Sequence, residues 1–266
     1  MTTSGAASAY VNRDQLTTKA YADPTNLGNR ISIYRHQNPR HDLREHVTRL
    51  LHDAGPGTRI LEVGSGPGHY SRALRADRPD RLVFATDLSH GMAMAAGENV
   101  PAAVADATAL PFADHTFDAV TALHMLYHVP VPAQALTEIA RVVRPGGTVL
   151  ISTNAIGDKR ELRQLHARAA AAADHHVPDE GLAMRFNLDE AEIVARQHFA
   201  TVERSDLRSI IDVPEVAPIV AFIESCRSWY EDNDEVLGHV RRLADETIAA
   251  DGAFRIRSHM GFLVCR

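Results

Sequence analysis

The sequence predicts an α/β fold: a mostly parallel sheet with helices on both faces. Three observations carry this reading. Apolar runs of strand length at 60–63, 82–85, 117–123 and 148–152 alternate with stretches of helical spacing. The first run passes directly into a glycine loop, Gly64, Gly66 and Gly68. The second run ends on an acid, Asp87. A strand that ends in such a loop forms the floor of a ligand crevice at the carboxyl edge of a parallel sheet.

The loop lies in Arg59-Ile-Leu-Glu-Val-Gly-Ser-Gly-Pro-Gly-His-Tyr70. Glycine admits positive φ and lets a ligand approach the backbone closely. The dinucleotide fingerprint needs G-x-G-x-x-G. Counted from Gly64 the sixth position is His69, and counted from Gly66 it is Ser71, so neither frame fits. The pattern is Glu62-x-Gly-x-Gly-x-Gly68. Asp87 lies 19 residues beyond Gly68, where nucleotide-binding βαβ folds place an acid that accepts bonds from ribose hydroxyls. A carboxylate suits that task because it offers two acceptor oxygens. Ser89 takes the N-cap of the helix that holds Met92, Ala93 and Ala96.

Two further segments follow in order. One is Ala103-Val-Ala-Asp-Ala-Thr-Ala-Leu-Pro-Phe-Ala-Asp-His-Thr-Phe-Asp118, in which Asp114 and Asp118 read as turn residues. The other is Leu136-Thr-Glu-Ile-Ala-Arg-Val-Val-Arg-Pro-Gly-Gly-Thr-Val-Leu-Ile151, in which Pro145-Gly-Gly147 stops a helix and hands over to a strand. Across residues 58–153 these four motifs resemble, in unbroken order, class I S-adenosylmethionine (SAM)-dependent methyltransferases of the small-molecule, natural-product type. The resemblance implies a Rossmann-like, seven-stranded, mostly parallel sheet with SAM as cofactor. It implies a cofactor set of Glu62, Gly64, Ser65, Gly66, Gly68, Asp87, Leu88, Met92, Asp106, Ala107 and His124. Within that set, Asp106 and the Ala107 N–H meet the adenine edge, and His124 meets the methionine part.

The chain has 266 residues, 45% hydrophobic, with a net charge of −6. That length accommodates one α/β domain with additions. No Lys/Arg block marks a nucleic-acid footprint. Residues 1–9 lack the apolar core of a signal peptide, and no stretch reaches membrane-spanning length. Cys226 and Cys265 have no metal or redox spacing and read as reduced core thiols. A cytoplasmic protein acting on a small molecule, without nucleic acid or membrane and as monomer or homodimer, is the expectation. Arginine and alanine richness, with only Lys19 and Lys159 as lysines, points to a high-GC bacterium and a role in secondary metabolism.

The organisation expected is a helical lid at 1–57, the SAM-binding core at 58–153, and a C-terminal half at 154–266. The last part completes the sheet with strands near 201–206 and at 254–265, and carries helical cap insertions at about 156–180 and 214–252. The first ten residues are small and polar and are expected to lack fixed structure. An amphipathic helix at 40–54 carries Leu43, Val47, Leu50 and Leu51. Tyr21, Asn29, Arg30 and Tyr34 precede it, and similar segments in small-molecule methyltransferases close over cofactor and substrate. In the cap, Ile219, Phe222, Ile223, Cys226 and Tyr230 form one helical stripe with Trp229 beside it. Arg30 and Tyr34, which the resemblance places in the closing segment, together with Asn154, Phe222 and Trp229 are the substrate-binding candidates; Phe222 and Trp229 are chosen because pockets are mostly apolar and aromatic.

Catalytic candidates come from Leu123-His-Met-Leu-Tyr-His-Val129, where His124 and His128 share a helical face. The resemblance points His128 toward the substrate, which makes it the leading base, with Tyr21 and Tyr127 behind it. The acid that could orient the imidazole is missing from His128-Val-Pro-Val-Pro132. No metal is expected, since no Glu or Cys supports the two histidines. The function read here is methyl transfer by in-line displacement to an aromatic or heteroaromatic acceptor, with C-, N- and O-methylation left open. Its rivals are an NAD(P)-dependent oxidoreductase, which fails at the glycine spacing, and a SAM-binding protein that does not catalyse.

Overall fold

A computed structural model describes residues 9–52, 57–175, 185–227, 229 and 233–266. Its strands are β1 (Gln37–Asn38), β2 (Arg59–Val63), β3 (Leu82–Asp87), β4 (Ala102–Val104), β5 (Phe117–Leu123), β6 (Val143–Asn154), β7 (Val202–Val213) and β8 (Phe254–Cys265). They form one sheet in the order β1-β7-β8-β6-β5-β2-β3-β4. Strands β4, β3, β2, β5 and β6 pair in parallel. Strand β8 runs antiparallel to β6 and β7, and β7 runs antiparallel to β1.

The fold is therefore the expected Rossmann-like α/β arrangement, but with eight strands instead of seven. The additional strand is β1, whose Gln37 and Asn38 pair with Ile211 and Ile210 at the sheet edge. Two residues carry no hydrophobic period, so nothing in the pattern announces them. The strand expected near 201–206 runs on to Val213 as β8's long partner.

The helices are α1 (Thr25–Ser32), α2 (Leu43–Leu50), α3 (His69–Asp77), α4 (His90–Gly97), α5 (Pro132–Val142), α6 (Arg160–Ala172), α7 (Leu188–Ala195), α8 (Val216–Glu224) and α9 (Asp234–Asp251). One face of the sheet buries Leu61, Val120 and Ile151 under Leu136 and Ile139 of α5 and Leu188 of α7. The other buries Ile60, Val83 and Leu150 under Val47 of α2, Leu74 of α3 and Ala96 of α4. A third cluster joins Leu162 and Leu165 of α6, Ile219 and Ile223 of α8 and Val240 of α9 to Ile211 and Ile256 of the sheet. Each fully buried aliphatic side chain contributes about 1.5–3 kcal/mol relative to exposure.

Local chemistry sets the boundaries. Ser89 caps α4 by accepting the Met92 N–H, and Asn187 closes a capping box with Glu190 on α7. Helix α5 ends at Val142, three residues before Pro145, because Val143 already pairs with Phe117 in the sheet. Asp118, expected in a turn, lies within β5 and accepts from the Arg59 N–H at 2.8 Å and Arg144 Nε at 2.6 Å. Asp114 does sit in the preceding loop and pairs with Arg141. The stripe read at 219–230 divides. Ile219 and Ile223 go to the α6–α9 cluster, whereas Cys226 and Trp229 pack with Tyr10 and Ala20. The expectations for residues 1–8, for the far end of 156–180 and for Tyr230 lie outside the described residues.

Gly261 sits between Thr153 and Asp206 at the junction of β6, β8 and β7. A Cβ there would meet Leu188 Cδ2 at 2.5 Å and the Ser205 carbonyl oxygen at 2.8 Å. Backbone cannot yield as a side chain can. Gly261→Ala should cost about 1–3 kcal/mol, read as a lower urea midpoint at unchanged slope.

Candidate active site

The glycine loop is built by backbone conformation. Gly64, Gly66 and Gly68 have φ of 65°, 53° and 75°, a region that L side chains rarely adopt. A Cβ on Gly64 would meet Met125 Cβ at 2.7 Å, and one on Gly68 would meet the Ala96 backbone at 3.0 Å. Gly66 faces more open space, with Leu27 Cδ2 of α1 at 3.6 Å. The loop is anchored where the Ser65 N–H donates to the Thr86 carbonyl at 2.9 Å.

Asp87 stands at the end of β3, as the spacing predicts. Its Oδ2 accepts the Gly66 N–H and its Oδ1 the Ser89 N–H, both at 2.8 Å. Burial pushes its carboxyl up from the ordinary range, against the pull of those N–H donors. Asp106, beyond β4, accepts from the Thr108 N–H and hydroxyl and faces Arg13 at 3.8 Å. Ala107 beside it is buried. Leu88 is half-buried next to Asp87.

Two members of the expected cofactor set are placed inside the protein. Met92 is 1% exposed on α4. Glu62, also 1% exposed, turns to α3, where its Oε2 accepts the Ser71 N–H at 2.8 Å and the Ser71 hydroxyl. Burial raises the Glu62 carboxyl to about 7. Glu62 thus ties the loop to the following helix from beneath the crevice.

The segment ahead of β1 brings the catalytic candidates together. The Tyr21 hydroxyl lies 2.8 Å from His128 Nε2, and His128 Nδ1 lies 3.0 Å from the Tyr10 carbonyl oxygen. A carbonyl only accepts, so Nδ1 carries the proton, and Nε2 accepts from the Tyr21 hydroxyl. The Tyr10 carbonyl therefore orients the imidazole, the task for which no acid was present in the local sequence. Burial depresses His128 to about 4, which keeps it neutral near pH 7. Trp229 joins this cluster, with ring centroids 5.4 Å from Tyr10, 6.2 Å from Tyr21 and 6.1 Å from His128. Phe222 packs against its edge.

Arg30 is nearly buried. Its guanidinium lies 5.1 Å from the Tyr21 ring centroid and 4.7 Å from that of Trp229, and its Nη1 donates to the Ser225 carbonyl at 2.8 Å. It joins α1 to the end of α8. Tyr127 is buried in the α5–α7 core with its ring 4.7 Å from His128, so it backs the histidine from the protein side. Tyr34 does not join the Tyr21 cluster; it lies against Lys159. His124 adopts φ 53° at the end of β5, and its N–H donates to the Ser152 carbonyl. Burial lowers His124 to about 4.

The sequence reading missed Gly91, Tyr10 and Lys159. A Cβ on Gly91 would run into the Ala22 carbonyl oxygen, so glycine is what lets the chain at Ala22 lie on the start of α4. Ser89 Oγ reinforces that seat by donating to the Tyr21 carbonyl at 2.7 Å. Gly91 stands outside any glycine motif, and Tyr10 acts through its carbonyl, which residue identity does not reveal. Lys159 carried a faint signal, as one of two lysines among 28 basic residues.

Comparison with known proteins points to methyltransferases. Residues 61–151 match the family described as methyltransferase domain. The demethylmenaquinone methyltransferase of Mycolicibacterium paratuberculosis is 39% identical over 106 residues, 40% of this chain and 45% of that protein. That of Renibacterium salmoninarum is 41% identical over 110 residues, 39% of this chain and 46% of that protein. The matched stretch thus spans less than half the length of these curated relatives. Among solved structures, Bacillus subtilis YcgJ superposes with a TM-score of 0.53 at 17% identity, covering 84% of this chain and 99% of that one. Haemonchus contortus phosphoethanolamine N-methyltransferase 2, in complex with phosphomonomethylethanolamine and S-adenosylhomocysteine, superposes with a TM-score of 0.60 at 19% identity, covering 96% of this chain and 59% of that one. At such identities the likeness is one of fold.

The Glu62 carboxyl tests the packing beneath the loop. Its folded value, about 7, lies above the ordinary 4.5. The folded state therefore holds that proton more tightly, and the stability it contributes is full below about pH 4.5 and lost as pH rises through about 7. Glu62→Gln keeps an acceptor for Ser71 and cannot ionise. Its Tm relative to the wild type should rise by a few degrees between about pH 5 and about pH 8 in thermal scans.

Proposed function

We propose, from a chain that carries a class I SAM-dependent methyltransferase domain, that the whole protein transfers a methyl group to a small aromatic or heteroaromatic acceptor held under the lid and cap. The observation that carries the cofactor reading is the loop of three left-handed glycines clasped by Asp87 at the carboxyl edge of the sheet. The open face of Gly66 gives a ligand access to backbone, and in this reading Asp87 meets the ribose and Asp106 the adenine amino group. The demethylmenaquinone methyltransferases matched above bear a quinone in their name, which supports a ring-bearing acceptor. The aromatic lining of Tyr10, Tyr21 and Trp229 supports the same class.

Bound SAM supplies an activated methyl on a sulfonium. What this chain's residues contribute is enclosure and position, which can supply roughly 7–11 kcal/mol. Tyr21 and His128 form the proton path. The Tyr21 oxygen, while donating to His128 Nε2, can accept a proton from the acceptor, and the neutral imidazole can take the tyrosine's own. Arg30 against the Tyr21 ring opposes the rise that burial imposes on that phenol. The C-, N- or O-character of the product follows from which acceptor atom lies nearest Tyr21.

Calorimetric titration with S-adenosylhomocysteine tests the cofactor reading. Wild type should bind. Asp87→Ala should bind about 10- to 150-fold more weakly, the value of hydrogen bonds to a charged group. Stabilisation by NAD instead would overturn the assignment. Tyr21→Phe should bind S-adenosylhomocysteine like wild type but turn over acceptors about 10²–10⁴-fold more slowly. Binding without methyl gain for any acceptor, scored by mass spectrometry, would favour a non-catalytic SAM-binding protein.

A further inference from the structure

A second polar cluster lies over the ends of β5 and β6, built around a residue to which the methyltransferase reading gives no task. At its centre is Lys159, just before α6, with its side chain 12% exposed. Its ammonium is hydrogen-bonded to Asp158 and lies 5.2 Å from the Tyr34 ring centroid. Asp158 is itself fixed, since its Oδ1 accepts the His259 N–H at 2.9 Å. An ammonium has three N–H groups. Asp158 and Tyr34 can occupy two of them, which leaves a donor.

His124 stands within the electrostatic reach of Lys159 and Asp158, and its Nε2 is buried with no hydrogen-bond partner. Asn154, at the end of β6, likewise has a buried Oδ1 with no partner. A buried polar group left unmatched is destabilising, so a partner for it is favoured. Both His124 and Lys159 also hold left-handed backbone, φ 53° and 51°, a strain that surrounding structure must impose. Tyr34 belongs to the lid turn Ile33–His36, whereas the other three come from the sheet side. The cluster is therefore completed only when lid and core meet.

Its donors and acceptors limit what it could hold. A cationic amine would face Lys159 directly, and both oxygens of the Asp158 carboxylate are already engaged. An oxygen that accepts suits the ammonium, a neutral imidazole can donate to it, and the Asn154 amide can donate or accept. An opposite charge nearby favours the ionised form of an acid. We propose that Lys159, Tyr34, His124 and Asn154 form the subsite for a phenolic oxygen of the acceptor and bind it as the phenolate. This deepens the methyltransferase reading and rests on it.

The probe is 4-nitrophenol, whose phenolate is coloured, with 4-nitroanisole as a control that cannot ionise. Absorbance is followed against pH, with and without S-adenosylhomocysteine. For wild type, the bound phenolate should be favoured about tenfold or more over the bound phenol, seen as a lower titration midpoint than in buffer. Lys159→Met should abolish that displacement while 4-nitroanisole binds as before. The pair D158N/K159M removes both charges together and guards against misfolding from an unpaired Asp158. An undisplaced midpoint, a displacement that persists without Lys159, or no binding of 4-nitrophenol to wild type would each overturn the subsite. Failure of S-adenosylhomocysteine to bind wild type would instead overturn the methyltransferase reading.

Discussion

The crevice depends on one carboxylate. Asp87 accepts N–H groups from the glycine loop and from the turn into α4 at once, so it holds two loops together. The same turn presents Ser89, whose hydroxyl donates to the Tyr21 carbonyl and so seats the N-terminal segment. Loop, acid and N-terminal segment thus form one connected chain of hydrogen bonds. Such charge-assisted bonds to backbone are the stronger kind, because an ionised acceptor faces fixed donors. Burial opposes them by raising the carboxyl, and the donors oppose burial. The N–H groups also set the direction of both oxygens, which is what a ligand hydroxyl arriving at Asp87 would meet.

What the sequence displayed followed from periodicity and from residues whose backbone preferences are distinctive. The central parallel strands are buried and read as continuous apolar runs, so β2, β3 and β5 were legible nearly to the residue. The glycines were legible because only glycine tolerates φ near +60° there at little cost. Strand β1 was not legible, because two residues at an edge have no pattern. Nor was the division of the 219–230 stripe, since helical spacing says which residues share a face but not which neighbour each part meets. Glu62 shows a different limit. Its place in the motif was correct, yet whether a carboxylate at a strand end turns to a ligand or to the next helix depends on Ser71, nine residues on.

The candidate site was legible in its parts but not in its assembly. Tyr21, His128, Trp229 and Arg30 come from segments separated by up to 208 residues, and no local signal states that they converge. The missing acid after His128 appeared to remove the group that orients a catalytic imidazole. A backbone carbonyl fills that role instead, and every residue carries one. Orientation of this kind is invisible to any reading based on side-chain identity.

The two histidines illustrate why burial, and not sequence context, decides their chemistry. His124 and His128 sit four apart at one strand end, and burial lowers both to about 4. Each is therefore neutral near pH 7, but their surroundings differ. His128 has both ring nitrogens matched, one by Tyr10 and one by Tyr21, so its tautomer is fixed and its free lone pair is aimed at a phenol. His124 has Nε2 unmatched and within reach of the Lys159 charge. A neutral imidazole beside a cation gains nothing by taking a proton, and the Lys159 charge works against it. It is more useful as a hydrogen-bond donor to an oxygen that the same cation attracts. The two rings thus face different surroundings: His128 lies between the Tyr10 carbonyl and the Tyr21 hydroxyl, whereas His124 lies within reach of the Lys159 charge.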